Sequence, residues 1–161
     1  MEVDIWGYDL SINACGRAGQ WQQALSLLSG IREMAVQASV ISYNNGINAC
    51  RVQGQWRQAV FFLGEIRDTM LQPNLIGFNC GIGACEKHGQ WQRALSLLCE
   101  MSQATVEVSV ISCNAATSAC EKGGQWQQAL LLLSDSRKAE VGLNTVSFNS
   151  GISACEKGGN W

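Results

Sequence analysis

The chain has 161 residues, a formal net charge of −2, 47% hydrophobic and 15% charged residues, a balance that fits a folded soluble protein. No apolar run is long enough to span a bilayer, which argues against a membrane-spanning role, and the acidic start Met1-Glu2-Val3-Asp4 lacks the basic opening of a targeting segment. The slight acidity also counts against avid binding of a polyanion through overall charge, because backbone affinity for nucleic acid comes mainly from cations and counterion release.

From Ile5 onward the sequence repeats every 35 residues without insertion or deletion. Trp21, Trp56, Trp91, Trp126 and Trp161 keep that interval, as do Cys15, Cys50, Cys85, Cys120 and Cys155, and Gly19, Gly54, Gly89, Gly124 and Gly159. The units are 5–39, 40–74, 75–109 and 110–144, with a partial fifth at 145–161. A strict period of this size marks a row of stacked supersecondary units in a single array. The chain is expected to be a segment of a longer array.

Within the unit 40–74, Tyr43, Ile47 and Cys50 recur at intervals of four and three on one face of a first helix; Phe78, Ile82 and Cys85 repeat the pattern. Ser42, Ser112 and Ser147 are the expected N-caps, with Gly7 and Gly77 in the other units. Gly54-Gln55 breaks the chain, and Trp56, Ala59, Val60, Leu63 and Ile66 then trace the apolar face of a second helix. The expected fold class is therefore all-α, two antiparallel helices per unit, with the first helices lining one side of a superhelix. Small residues at Gly46, Gly81, Ala116 and Gly151 are expected to let first helices approach closely, and the tryptophans to belong to the core.

The eight cysteines contain no C-x-x-C pair, and five share one buried helix position, so they read as structural thiols in a reducing compartment rather than disulfides or metal ligands. His88 is the only histidine and sits where other units have Ala18, Gln53, Gly123 and Gly158, a turn position. No phosphate-cradling loop, nucleophile elbow or zinc-deaminase signature is present; no catalytic residue and no cofactor are expected.

On the other face of the first helix, the fifth residues of the units are Asp9, Asn44, Asn79, Asn114 and Asn149. Asparagine is a poor helix former, and a merely solvated position would more often hold Glu, Lys or Gln. Four residues on stand Asn13, Asn48, Gly83, Ser118 and Ser153, and four further Arg17, Val52, Lys87, Lys122 and Lys157, with Arg51 beside the apolar exception. The i, i+4, i+8 spacing puts amide, small polar group and cation on one stripe. One such set per unit suits a polymer carrying one base and one phosphate per step, as single-stranded nucleic acid does; a solvated face is the alternative reading of the same residues.

Units reading V-I-S-Y-N at the start, A-C-E-K near the middle, G-Q-W-Q-Q-A-L after the turn and P-N at the end resemble pentatricopeptide repeats over Ile5 to Trp161. The tetratricopeptide repeat differs in its period of about 34 and its W-x2-L-G-x2-Y pattern. The resemblance implies a right-handed superhelical α-solenoid that reads single-stranded RNA at about one nucleotide per repeat. The fifth and last residues of each unit would choose the base: Asp9 with Ser39, Asn44 with Asn74, Asn79 with Ser109, Asn114 with Asn144, and Asn149 alone. Asn with Asn resembles a pyrimidine pair and Asn with Ser one preferring cytosine, while Asp9 with Ser39 departs from the common pairs. The second residues Trp6, Ile41, Ile76, Ile111 and Val146 would hold bases between them, and Arg17, Arg51, Lys87, Lys122 and Lys157 would face phosphates. About four contacted phosphates predict a salt slope near −3.

The same resemblance suggests a mitochondrial or plastid adaptor in RNA processing, editing or stability, with partner proteins supplying any catalysis. A protein-interaction scaffold of tetratricopeptide-like solenoid type is the alternative, and apolar side chains on the inner stripe would be its signal. Family members usually have a leucine-like residue at the tryptophan positions and a glycine where Ala35, Met70, Thr105 and Glu140 stand. The shortened last unit leaves Phe148, Ile152 and Cys155 without a second helix, so that end is expected to self-associate or fray.

Overall fold

Each first helix begins on the first residue of its unit and each second helix on a tryptophan. The computed structural model describes residues 5–33, 38–69 and 71–159, and the side chains of all of these except Ile5 and Arg32. Met1 to Asp4, Ala35, Met70 and Trp161 lie outside the described residues. The elements are α1 (Ile5–Ala18), α2 (Trp21–Glu33), α3 (Val40–Gln53), α4 (Trp56–Asp68), α5 (Leu75–Glu86), α6 (Trp91–Gln103), α7 (Val110–Lys122), α8 (Trp126–Lys138) and α9 (Thr145–Lys157). The described residues contain no strand, and none of these helices is long and apolar enough to cross a membrane.

The chain divides into two compact units, Met1–Ala84 and Cys85–Trp161. In the first, α3 packs against α1, α2 and α4. Its core holds Ile12, Leu28, Ile31, Tyr43, Ile47, Phe62, Leu63 and Ile66, all at most 2% exposed. Tyr43 meets Phe62 edge-on, with centroids 6.3 Å apart. In the second, α7 packs against α6, α8 and α9 around Cys120, Ala129 and Ala154.

The turn inside each hairpin needs glycine. Gly54 sits at φ +71° in the left-handed region, where a side chain would be strained, and the Gln55 N–H then reaches back to the Cys50 carbonyl at 2.8 Å. At the ends of α6 and α8 the same left-handed conformation falls on Thr105 and Glu140, both at φ +56°. The Val106 and Val141 N–H groups close these turns on the Met101 and Ser136 carbonyls at 3.0 Å. A left-handed residue other than glycine costs about 1–2 kcal/mol, of which the extra chain entropy of glycine returns part. Thr105→Gly and Glu140→Gly are each expected to raise stability by about 1 kcal/mol, read as a higher urea midpoint at unchanged slope; a lower midpoint contradicts the strain.

Three expectations are corrected. The helices start earlier than expected, so the N-caps are Ser39, Ser109 and Asn144, and Ser42, Ser112 and Ser147 are the N3 residues that complete reciprocal capping boxes. Gly46 and Gly151 do not serve first-helix contact: a Cβ there would lie 2.9 Å from Leu28 and 2.4 Å from Leu133, leucines of the preceding second helices. Close approach of first helices falls instead at Gly16, where a Cβ would come within 2.8 Å of the Asn45 carbonyl oxygen. The periodic tryptophans Trp21, Trp56, Trp91 and Trp126 are half-buried, at the edge of the core rather than within it. Trp91 and Trp126 lean on the second unit's core, and their indole edges occupy the space a Cβ would take at Gly123 and Gly158.

Candidate nucleic-acid interface

Two of the four pairs of fifth and last residues meet directly. Asn44 Nδ2 donates to Asn74 Oδ1 at 3.0 Å, and Asn114 Nδ2 to Asn144 Oδ1 at 3.3 Å. The last residues are at the same time caps of the next helix: Asn74 Oδ1 accepts from the Gly77 N–H, Asn144 Oδ1 from the Ser147 N–H, and Ser39 and Ser109 from the N–H groups of Ser42 and Ser112. Their acceptor capacity is therefore largely committed to the helix starts.

A third participant, which the period contains but composition does not reveal, is the N3 hydroxyl. Ser42 Oγ donates to Asp9 Oδ1, and Ser147 Oγ to Asn114 Oδ1 at 2.5 Å. Where the N3 residue is Gly77, a Cβ would sit only 2.7 Å from Asn44 Oδ1. Asn44 has sunk against the glycine to 6% exposure, and its Oδ1 has no hydrogen-bond partner. This corrects the placement of Asn44 on a face turned away from the core. Asn79 Oδ1 is likewise buried without a partner, whereas Asn149 is exposed.

The second residues stand in solvent despite being apolar: Trp6 is 76% exposed, Ile41 64%, Ile76 60%, Ile111 63% and Val146 57%. Large apolar side chains left this open mark a contact surface rather than core. Trp6 and Ile41 flank an open cleft of about 200 Å³ whose remaining lining is Asp9, Leu10, Asn13 and Asn45. The cleft thus sets the polar side chains of Asp9, Asn13 and Asn45 between two apolar ones.

The cations divide by unit. Lys122 Nζ donates to Glu86 Oε1 at 2.8 Å and Lys157 Nζ to Glu121 Oε1 at 2.8 Å, with Ser118 and Ser153 hydroxyls donating to the same oxygens. The glutamates of the first two A-C-E-K stretches thus anchor the lysine one repeat on. In the first unit Arg51 Nε donates to Asn48 Oδ1 at 3.0 Å, and Arg17 is exposed with no ion pair among the described residues. Lys87 is exposed as well.

Partial burial pushes the Glu121 carboxyl up, but hydrogen bonds from Lys157 and Ser153 and the charges of Lys157 and Lys122 outweigh it, so it titrates below its ordinary range. A carboxyl lowered by folding contributes stability above its unfolded pKa and loses it as pH falls through the folded one. Glu121→Gln is therefore expected to lower the urea midpoint at pH 7, and the gap from the unaltered chain should close as pH falls through that carboxyl's titration. A gap that persists in acid contradicts the pairing.

Burial pushes Cys50 and Cys85 up to about 12, slightly opposed at Cys85 by the Arg93 charge, and Cys120 up to about 11, which keeps them protonated and unreactive. All eight cysteines are free, and no group of three metal-ligating side chains occurs among the described residues. His88 is exposed in the turn before α6.

A profile described as the pentatricopeptide repeat domain matches residues 26–88, and one described as the PPR repeat matches 12–36 and 78–106. Together they run through residues 12–106, more than half of the chain. The chain belongs to the pentatricopeptide repeat family. No curated protein sequence matches it. Among solved structures, the maize pentatricopeptide repeat protein PPR10 aligns over 92% of this chain at TM-score 0.74 and 22% identity. PPR10 in complex with an 18-nt psaJ RNA element aligns over 98% at TM-score 0.81 and 23% identity. The PPR domain of Arabidopsis thaliana protein-only RNase P 1, in complex with tRNA, aligns over 93% at TM-score 0.78 and 16% identity. At these identities the likeness shows the fold, a helical-repeat solenoid. This chain spans 23% of the RNA-bound PPR10 chain, 21% of the maize one and 82% of the RNase P domain. In the pentatricopeptide repeats of this chain, glutamate–lysine links join Glu86 to Lys122 and Glu121 to Lys157.

Proposed function

We propose that this chain binds single-stranded RNA, about one nucleotide per repeat, with a preference for pyrimidines, as an adaptor in RNA processing, editing or stability within a mitochondrion or plastid. The observation that carries the reading is the slot between Trp6 and Ile41 with Asp9 beside it. Its parts, exposed second residues and a polar fifth residue, recur in every repeat. Planar bases stack on such faces, worth about 1–3 kcal/mol each where the platform is aromatic. The structurally similar PPR10 and RNase P domain, each solved in complex with RNA, support the class of ligand. The pairs Asn44 with Asn74, Asn79 with Ser109 and Asn114 with Asn144 underlie the pyrimidine preference, which rests on the family pattern. With Lys122 and Lys157 already held by carboxylates, backbone attraction is modest, and base contacts supply a larger share of the affinity. The chain acts without chemistry of its own, and any cleavage or editing falls to a partner.

The exposed Ile41, Ile76 and Ile111 also favour a second reading, in which the same row of apolar side chains receives an extended peptide. A fluorescence anisotropy titration at low salt with oligo(C), oligo(U) and oligo(A) of equal length separates the two. RNA recognition predicts saturable binding of the pyrimidine strands, weaker binding of oligo(A), and weakening with added salt. Equal and negligible binding of all three removes the RNA reading and leaves the scaffold.

A further inference from the structure

The slot beside Trp6 differs from the others in the chemistry of its reading group. Asp9 holds the fifth position, where the later units have asparagine. An ionised carboxylate only accepts hydrogen bonds, whereas an amide both accepts and donates. The neighbouring hydroxyls are already ordered around it. Ser39 Oγ lies 2.9 Å from Ser42 Oγ, and Ser42 Oγ donates to Asp9 Oδ1. With the Ser42 proton given to Asp9, the Ser39 hydroxyl donates to Ser42, while its oxygen accepts from the Ser42 N–H. The last residue of this repeat is thereby occupied, and Asp9 faces the ligand with Oδ2 and the remaining lone pairs of Oδ1.

A buried or half-buried carboxylate oxygen left without a donor is costly, and more so than a neutral acceptor. The slot thus discriminates against ring edges that present acceptors to it. Uracil offers one N–H between two carbonyls, cytosine one amino group beside two acceptors, and adenine one amino group beside a ring acceptor. Guanine alone presents two adjacent donors, N1–H and the 2-amino group, at the spacing a carboxylate's two oxygens accept, with O6 next to them. The slot also supplies a donor for that O6, the exposed amide of Asn13 in its lining. Trp6, at 76% exposure, gives a bicyclic platform where the other second residues are aliphatic, and the larger purine ring covers more of it.

We infer that the first repeat reads guanine: Asp9 accepts from N1–H and the 2-amino group, the Asn13 amide donates to O6, and the ring lies between Trp6 and Ile41. The ligand of the array is then a guanine at one end of a pyrimidine run. This inference rests on the RNA reading above, and its test is arranged so that the two fail differently. Two sets of short pyrimidine RNAs are titrated by anisotropy at low salt, one set carrying A, C, G or U at its 5′ end and the other at its 3′ end. In one set the guanine-ended strand is expected to bind roughly tenfold tighter than its uracil-ended counterpart, the scale of a bidentate base contact. Asp9→Asn, checked for retained helix content, is expected to erase that advantage. Pyrimidine binding without a guanine advantage in either set overturns the inference and leaves the RNA reading standing, as does an advantage that survives in Asp9→Asn. Should that variant fail to fold, the comparison of four terminal bases on the unaltered chain still decides. Absence of binding by every strand overturns both.

Discussion

Phe62→Ala is expected to destabilise the chain by about 3–5 kcal/mol. Phe62 is 1% exposed, meets Tyr43 edge-on, and fills the space beside Gly46, where a Cβ would lie 3.5 Å from its ring. No neighbour can move in to close the gap, because Gly46 brings no side chain and Leu63 and Ile66 are already packed to zero exposure. Phe61 is the internal control: one residue earlier on α4 and 55% exposed, it should cost less than about 1 kcal/mol when truncated, the range of a surface site. Urea denaturation followed by circular dichroism measures both. Similar losses at the two positions would contradict the assignment of the core face.

The second large effect concerns recognition. Replacing Asn44, Asn79 and Asn114 together by alanine is expected to weaken binding of pyrimidine RNA roughly hundredfold, since each neutral hydrogen bond contributes about 0.5–1.5 kcal/mol. Stability should change little. Asn44 Oδ1 and Asn79 Oδ1 are buried acceptors without partners, so truncation removes an unfavourable group along with a favourable one. A drop in affinity that tracked a drop in the thermal midpoint would reassign these asparagines to the scaffold. Unchanged affinity in a stable variant would remove them from the reading face.

Much of this was legible in the sequence, because one period sets both the scaffold and the sites. The starts of the helices at Val40 and Trp56, the left-handed glycine at Gly54 and the meeting of Asn44 with Asn74 all follow from it. What the period could not say is which of two adjacent capping residues leads. Ser39 and Ser42 both carry hydroxyls, and only the backbone shows that the helix opens at Val40, which makes Ser39 the cap and frees Ser42 to reach Asp9. Phe62 was missed on the apolar face, where Val60 was expected and is only half-buried, because the actual face is rotated toward Tyr43. The carboxylates of Glu86 and Glu121 were visible in A-C-E-K, but their partners lie 36 residues on, across a repeat boundary, where helical i, i+4 pairing gives no cue. The half-buried state of Trp91 and Trp126 depends on Gly123 and Gly158 offering a seat for an indole edge, a matter of fit rather than spacing.

The central claim is that the fifth-position side chains form the reading face. The most direct measurement is a two-dimensional NMR titration that follows the side-chain amide signals as oligo(C) is added. The account predicts that the amide pairs of Asn44, Asn79 and Asn114 shift in a saturable manner, together with the signals of Ile41, Ile76 and Ile111, while Phe61 and Leu131 on the second helices stay in place. Shifts concentrated on α4 and α8, with the fifth-position amides unmoved at saturation, would contradict it.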